Sequence, residues 1–429
     1  MSVQEFYEQI FVQYSKISID SRNVSKDILF FSLKGSNFNG NQYALSALQN
    51  GASYAIVDDE SIVHSRVICV PDVLLFLQKL AAYHREQLSI PIIGITGTNG
   101  KTTTKELIAA VLSEKYKVTF TKGNLNNHIG VPLTILSVSK ADDIAVIEMG
   151  ANHMGEIAFL CDIVKPDFGI ITNVGKAHLE GFGSFENVIT TKSELYRSIE
   201  SRNGTIFIDA DNDILMKVAE TIESKILYSC ESNLTYAYAV SKQGEICAAF
   251  DFYSDSTRVS IQSQLFGEYN IKNMLAAATI GKYFNVPLDK IAFALENYTP
   301  SNNRSQILPT GKNTLILDAY NANPSSMQAA ISYFQSVSFE RKGAILGQML
   351  ELGDSHVKEH SHVQKMILKG DVSFVYFVGK WEYVNDSRCK FFSSTQDLLS
   401  FLLSVPIEHS LILIKGSRGI ALEKVVDLL

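Results

Sequence analysis

Along the 429-residue chain, short apolar runs rich in β-branched residues are followed by stretches whose apolar positions fall at helical spacing. The first 88 residues read as a small α/β unit, with strands over 28–33, 54–57 and 67–70 and helices over 43–49 and 72–86. Asp72 stands as an N-cap ahead of Val73-Leu74-Leu75-Phe76-Leu77, a turn apolar enough to be buried. Ser89-Ile90-Pro91 is the junction to the next unit. From 92 the alternation continues through strands over 92–96, 118–120, 144–147, 168–171 and 205–208, which predicts a mostly parallel sheet with its ligands at the carboxyl strand ends. A β-rich patch over 236–266 and helices over 270–284 and 288–297 complete that unit. The turn-rich 298–303 is the second break. Strands over 315–317, 344–346, 374–378 and 411–414 then predict a second doubly wound domain without a phosphate loop of its own. The fold class is therefore α/β in three domains, 1–88, 89–299 and 300–429.

The stretch from Ile92 to Glu106 organises the rest. Ile92-Ile93-Gly94-Ile95-Thr96 reads as a buried strand, Gly97-Thr98-Asn99-Gly100 as a loop, and Lys101 onward as a helix carrying Leu107, Ile108, Val111 and Leu112. Glycines let backbone N–H groups approach phosphate oxygens, and the following helix presents its positive end. Lys101 would reach the β- and γ-phosphates and the Thr102 hydroxyl would hold Mg²⁺. The generic spacing asks for glycine where Ile95 stands, so the loop departs from the common pattern. A Gly/Thr-rich turn that only packs a helix on a sheet is the plainer alternative.

Composition narrows the field. A formal charge of −7, a pI near 5.8 and the lack of a basic run exclude a nucleic-acid partner held by a wide basic surface. Residues 1–13 carry Glu5 and Glu8 without a basic leader, and no apolar stretch approaches the roughly 18 residues that span a bilayer, so membrane insertion is not expected. Five scattered cysteines without a C-x-x-C pair predict reduced thiols in a cytoplasmic protein.

Several polar residues lie at or beyond strand ends. Glu148, after Ile144-Ala145-Val146-Ile147, would complete a Mg²⁺ shell with Thr102, unless it is a surface or capping glutamate. His178 sits in a loop with Gly175, Gly181 and Gly183, where a structural histidine is the commoner case. Lys192, on a helix 14 residues later, reads alone as a solvated lysine. Asn124, Asn126 and Asn127 make an amide-rich connection that suits phosphate or substrate oxygens, and Asn is also the ordinary turn former. His356-Val357-Lys358-Glu359-His360 matches a zinc-peptidase pattern, but a nucleotide-type domain is an odd host, and we read it as a polar helix near the domain cleft.

Together, and in this order, these motifs resemble the Mur ligase family of ATP-dependent amide-forming enzymes over nearly the full length. The resemblance implies that Gly97, Thr98, Asn99, Gly100, Lys101, Thr102 and Thr103 bind the phosphates of ATP. It further implies that Asn270, in Gly267-Glu268-Tyr269-Asn270, lies near the adenine, and that Arg304, Asp318 and Asn321 face the nucleotide from the third domain. Thr102, Glu148, His178 and Lys192 are the implied Mg²⁺ ligands, Lys192 after carbamylation, because an ordinary lysine with a pKa near 10.4 would repel the cation. Lys101, His178 and Lys192 are the implied catalytic residues; Ser21, Arg22, Asn126 and Asn127 are the implied substrate contacts.

Asp20-Ser21-Arg22, Asp318 to Pro324, Leu346-Gly347-Gln348-Met349-Leu350-Glu351-Leu352-Gly353 and Lys415-Gly416-Ser417-Arg418 resemble the branch joining D-alanyl-D-alanine to UDP-N-acetylmuramoyl-tripeptide through an acyl phosphate. The Asp-Asn-Pro-Arg stretch of the diaminopimelate-adding relative is lacking. Asn303-Arg304-Ser305 and Gln348 depart from the commoner pattern. The resemblance implies a cytoplasmic monomer that takes the UDP end on the first domain, ATP on the second and the dipeptide on the third, closing about the breaks near 90 and 300. Another Mur-type ligase, a folylpolyglutamate synthase and, more distantly, a phosphate-loop ATPase switch are the alternatives.

Overall fold

The computed structural model describes every residue except 176–178 and 243–244. In the first unit four strands, Lys16–Ser18, Ile28–Phe31, Tyr54–Val57 and Val67–Cys69, run parallel in that order. The strand Lys16–Ser18 and the helical stretch Val3–Phe6, which continues as a wider π-type turn over Tyr7–Phe11, were not legible from periodicity. The helix expected over 43–49 starts as a 3₁₀ turn, Gly40–Tyr43, and becomes α-helical over Ala44–Gln49. Asp72 does cap the helix Val73–Glu86, accepting from Leu75 N–H at 2.8 Å.

The break expected to flex near 90 is spanned by packing. One hydrophobic cluster runs from Phe6, Leu29 and Leu77 through Val131, Ile147 and Leu160 to Leu195, so the first two units share a core. The buried Arg85 guanidinium donates to the carbonyls of Leu88, Val164 and Lys165 and to Asp167 Oδ2 at 2.8 Å. Asp167 Oδ2 also accepts from Ile92 N–H at 2.9 Å, which ties the junction to the first strand of the central sheet. A hinge there would have to open apolar surface and strip a buried charge of its partners.

In the central unit the strands Val118–Phe120, Ile144–Glu148, Ile92–Thr96, Phe168–Ile171, Thr205–Asp209, Lys225–Ser229 and Ala237–Ser241 run parallel in that spatial order. Cys247–Ser254 and Thr257–Phe266 continue it antiparallel. Leu265 then pairs with Gln306, so the sheet crosses into the third unit through Gln306–Pro309 and Thr314–Asp318 and reaches 15 strands. Its far side is parallel, in the order Thr314–Asp318, Leu411–Lys415, Lys342–Gly347, Phe374–Val378, Cys389–Phe392. The sequence pattern implied two separate sheets. The strand Gln306–Pro309, directly after the turn-rich break, joins them by covering an edge that would otherwise stay unpaired.

The strand Ile92–Thr96 lies between Ile144–Glu148 and Phe168–Ile171, so the loops leaving three neighbouring strands converge. This is the topological switch point where parallel sheets take their ligands.

Candidate active site

The loop after Ile92–Thr96 is built for a close approach. Gly97 has φ of +146°, and a Cβ there would sit 1.9 Å from Thr172 Oγ1. Gly100 has φ of +77°, and a Cβ would meet Asn273 Oδ1 at 2.6 Å. Both positions therefore exclude side chains. The loop is fastened to the neighbouring strand end, with Thr98 N–H donating to the Asn173 carbonyl at 2.9 Å and Asn99 N–H to Asn173 Oδ1 at 3.0 Å. From Gly100 the helix Lys101–Ser113 begins, pointing its unsatisfied N–H groups into the cleft.

Lys101 arches back over the loop, its Nζ donating to the carbonyls of Gly97 at 2.7 Å and Thr98 at 3.0 Å. Burial lowers its pKa to about 8, with Glu148 opposing and Arg304 reinforcing the shift. Glu148 ends its strand with 1% exposure. Its Oε1 accepts from Asn126 Nδ2 at 2.8 Å and from Thr102 Oγ1 at 3.2 Å. Its Oε2 is buried without a hydrogen bond, with Lys105 Nζ at 3.5 Å as its charge partner. A buried carboxylate oxygen short of a donor, beside a hydroxyl at a helix start, is a hard oxygen set that fits a divalent cation. The surface-glutamate alternative does not hold.

Lys192 lies on the helix Phe185–Glu200 with 4% exposure, its ammonium 5.9 Å from the Phe182 ring centroid. Among the described residues no carboxylate pairs with it. Burial, then the Lys101 charge, lowers its pKa to about 7, so near neutrality the amine carries a reactive lone pair. It is therefore not the solvated lysine that its sequence context suggests. His178 lies outside the described residues.

The loop, the amide-rich connection and the third unit together line a cleft of about 750 Å³. Thr98 to Thr103, Asn126, Asn127, Glu148, Asn270, Arg304, Asp318 and Asn321 all face it. Arg304 lies over the Tyr320 ring at 3.8 Å, and its Nε is buried without a partner. Asp318 Oδ2 is paired with Lys415 Nζ at 2.5 Å, so the carboxylate enters the cleft neutralised. Asn270 holds Phe266 O and Asn273 Nδ2, both at 2.8 Å. Asn127 Oδ1 accepts from Gly130 N–H at 2.9 Å and so also serves as a turn former. Ser21 and Arg22 lie in the first unit, away from the lining of this cleft, where Arg22 is paired with Asp20 at 2.8 Å. His153 and Phe159 line the cleft and carried no signal in the sequence beyond following a strand end.

His360 is fully buried, accepting from Met349 N–H through Nε2 at 3.0 Å and contacting the His356 carbonyl through Nδ1 at 2.8 Å. Both ring nitrogens are engaged by backbone. The zinc-like spacing is therefore a helix-packing feature at the carboxyl end of Lys342–Gly347.

Three family profiles match the chain in order: Mur ligase family, catalytic domain, over 13–85; Mur ligase middle domain over 95–281; and Mur ligase, glutamate ligase domain, over 303–418. The chain belongs to the Mur ligase family. Among its relatives, the UDP-N-acetylmuramoyl-tripeptide--D-alanyl-D-alanine ligase of Bacillus subtilis is 33% identical, covering 98% of this Mur ligase and 93% of the relative. MurF from Acinetobacter baumannii superposes with a TM-score of 0.85 at 30% identity, over 96% of this chain and 93% of that one. MurF ligase from Thermotoga maritima, solved in complex with ADP, gives 0.85 at 26% identity, over 97% of each chain. This Mur ligase is thus an enzyme of the carbon–nitrogen-bond-forming ligases. Among its described residues no helix is long and apolar enough to cross a membrane.

Proposed function

We propose that the chain joins D-alanyl-D-alanine to UDP-N-acetylmuramoyl-tripeptide at the expense of ATP, giving the UDP-N-acetylmuramoyl-pentapeptide used in peptidoglycan synthesis. The observation that carries the reading is one cleft lined jointly by a phosphate loop, a buried carboxylate and the third unit's Arg304 and Lys415. The near-full-length likeness to ligases of that name supplies the acceptor and donor. In this reading 1–88 hold the UDP end through Ser21 and Arg22, 89–299 hold ATP, and 300–429 bring the dipeptide.

A carboxylate is a poor electrophile, so it is first activated. The tripeptide carboxylate oxygen attacks the γ-phosphorus, the bond to the β-phosphate oxygen breaks, and ADP leaves. The dipeptide amine then attacks the acyl carbon, phosphate leaves, and the amine proton passes to solvent or base. Lys101, the N–H groups of Asn99 to Thr103 and the helix start stabilise the charge on the transferring phosphoryl group. Arg304 adds a cation from the third unit, while Asn126 and Asn127 orient the acceptor. Thr102, Glu148, His178 and carbamylated Lys192 would hold Mg²⁺, which supplies neutralisation of the crowded phosphate oxygens. The third unit, seated over the cleft, keeps water from the acyl phosphate.

The test is phosphate release from ATP and Mg²⁺ with the UDP-linked tripeptide, with and without D-alanyl-D-alanine, with product mass read in parallel. Release that depends on the dipeptide and a product of pentapeptide mass is expected. Release indifferent to both substrates would overturn the ligase reading in favour of an ATPase switch.

A further inference from the structure

The second turn of the helix Lys101–Ser113 carries two adjacent charged residues that the reaction above leaves unused. Lys105 is fully buried; its Nζ donates to the Gly123 carbonyl at 3.2 Å and lies 3.5 Å from Glu148 Oε2 and 3.7 Å from Glu106 Oε1. Glu106 turns the other way, toward the segment between the second and third units. Its Oε2 accepts from Tyr298 OH at 2.5 Å, and Asn302 Nδ2 reaches both its oxygens at 3.1 and 3.2 Å. Two residues on, Arg304 stacks on Tyr320 with its Nε buried and unpartnered, facing the cleft.

We propose that Glu106 is a positioning residue that anchors the interdomain segment 298–304 to the phosphate-loop helix and thereby holds Arg304 in the cleft. The inference deepens the ligase reading and rests on it for the role of Arg304. Three charge-assisted hydrogen bonds converge on one carboxylate, enough to fix a turn-rich segment that has few contacts of its own. Lys105, 3.7 Å from Glu106 Oε1 and 3.5 Å from Glu148 Oε2, lies between the two carboxylates, so linker and cation site are braced by neighbouring residues on a single helical turn. Asn302 Oδ1 is buried without a partner, so the amide is held through its nitrogen alone.

The test has two arms on the full chain. In amide hydrogen exchange without ligand, Glu106→Ala raises exchange over 298–305 about tenfold and Tyr298→Phe about threefold, with the amides of Lys101–Ser113 unchanged. Glu106→Gln, which keeps an acceptor oxygen, restores at least half of the protection. In calorimetric binding of ADP, Glu106→Ala and Arg304→Ala each weaken affinity about tenfold, and the double variant is no weaker than Arg304→Ala within about twofold. Unchanged exchange at 298–305 overturns the anchor while leaving the ligase reading intact, because that arm holds no nucleotide. Losses that multiply in the double variant overturn the action through Arg304. An unmodified chain that fails to bind ADP counts against the ligase reading and overturns the coupling with it.

Discussion

Asn99 of the phosphate loop donates its side-chain amide to Ser325 Oγ, 2.8 Å away at the first turn of the third unit's helix Pro324–Ser336. Its amide oxygen accepts from Asn323 Nδ2, also at 2.8 Å, and Asn323 is the N-cap of that helix. The loop that would wrap the phosphates is thus clasped directly to the unit that would bring the dipeptide. Occupancy of one bears on the seating of the other.

Removing the clasp at its less structural end should slow turnover without emptying the loop. Ser325→Ala deletes two neutral hydrogen bonds, the one accepted from Asn99 Nδ2 and the one donated to Asn323 Oδ1 at 2.9 Å, of which the clasp to Asn99 is worth about 1 kcal/mol or roughly a fivefold effect. We expect kcat to fall by about that factor with ADP affinity unchanged. Steady-state kinetics beside calorimetric titration decides it; an equal loss in both would show that Ser325 acts on the nucleotide and not on closure.

The Lys105–Glu148 pair makes a second prediction. Among the described residues, Glu148→Gln leaves a buried ammonium with only Glu106, at 3.7 Å, for a counter-charge. Breaking one member of a buried pair costs about 3 kcal/mol, discounted here to about 2 kcal/mol by that remaining contact. Replacing both, Lys105→Met with Glu148→Gln, should recover most of it while activity stays abolished. Urea unfolding of the unmodified chain and the two variants measures the pattern, and a double variant weaker than Glu148→Gln would count against the pairing.

What the sequence made legible was local. A strand, a glycine loop and a helix are contiguous, so the phosphate site could be placed from Ile92 to Thr104, and Glu148 from the apolar run before it. The helix cap at Asp72 is likewise short-range chemistry. Contacts between distant segments were not legible. Arg85 meets Asp167 across 82 residues, Asn99 meets Ser325 across 226, and the two sheets join through the single pair Leu265 and Gln306. Lys192 reads as solvated, and Lys105 draws no reading at all, because neither carries in its neighbours any sign of burial; the covering atoms come from other strands and helices.

His360 predicts an acid-labile third unit. Burial lowers its pKa from 6.5 to about 4, and its neutral Nε2 accepts the Met349 N–H. With the folded value below the unfolded one, the unfolded state binds more protons between those limits. The contribution is intact above pH 6.5 and is lost as pH falls toward 4, reaching about 3 kcal/mol. Denaturant unfolding from pH 7 to 4 should therefore be steeper for the unmodified chain than for His360→Gln. Parallel curves would assign the acid sensitivity elsewhere.

The lowered pKa of Lys192, about 7, leaves it largely neutral at pH 8, where the amine can add to CO₂ with loss of a proton to form a carbamate. Amide formation should then fall in CO₂-depleted buffer and return with bicarbonate, and Lys192→Ala should be inactive under both conditions. Activity indifferent to bicarbonate, at pH 7 as at pH 8, would argue for an unmodified lysine at that position.

Closure should occur about the segment near 300 and not near 90. The helix Val73–Glu86 packs into the cluster that also holds Val131, Leu160 and Leu195, and each Arg85 guanidinium nitrogen donates to the central unit or the junction. Arg85→Ala leaves three carbonyls and Asp167 short of a partner, and should cost about 3 kcal/mol in urea unfolding. The 298–304 segment, by contrast, is tied to the phosphate-loop helix through Glu106, and the third unit's sheet meets the central one just beyond it at the pair Leu265 and Gln306, so the third unit can turn about that anchored point. Spin labels placed on the first and second units should therefore keep a fixed separation when an ATP analogue and both substrates are added, while a label on the third unit moves relative to either. A change in the first distance would mean that the shared core opens, and the rigid-pair account would fail.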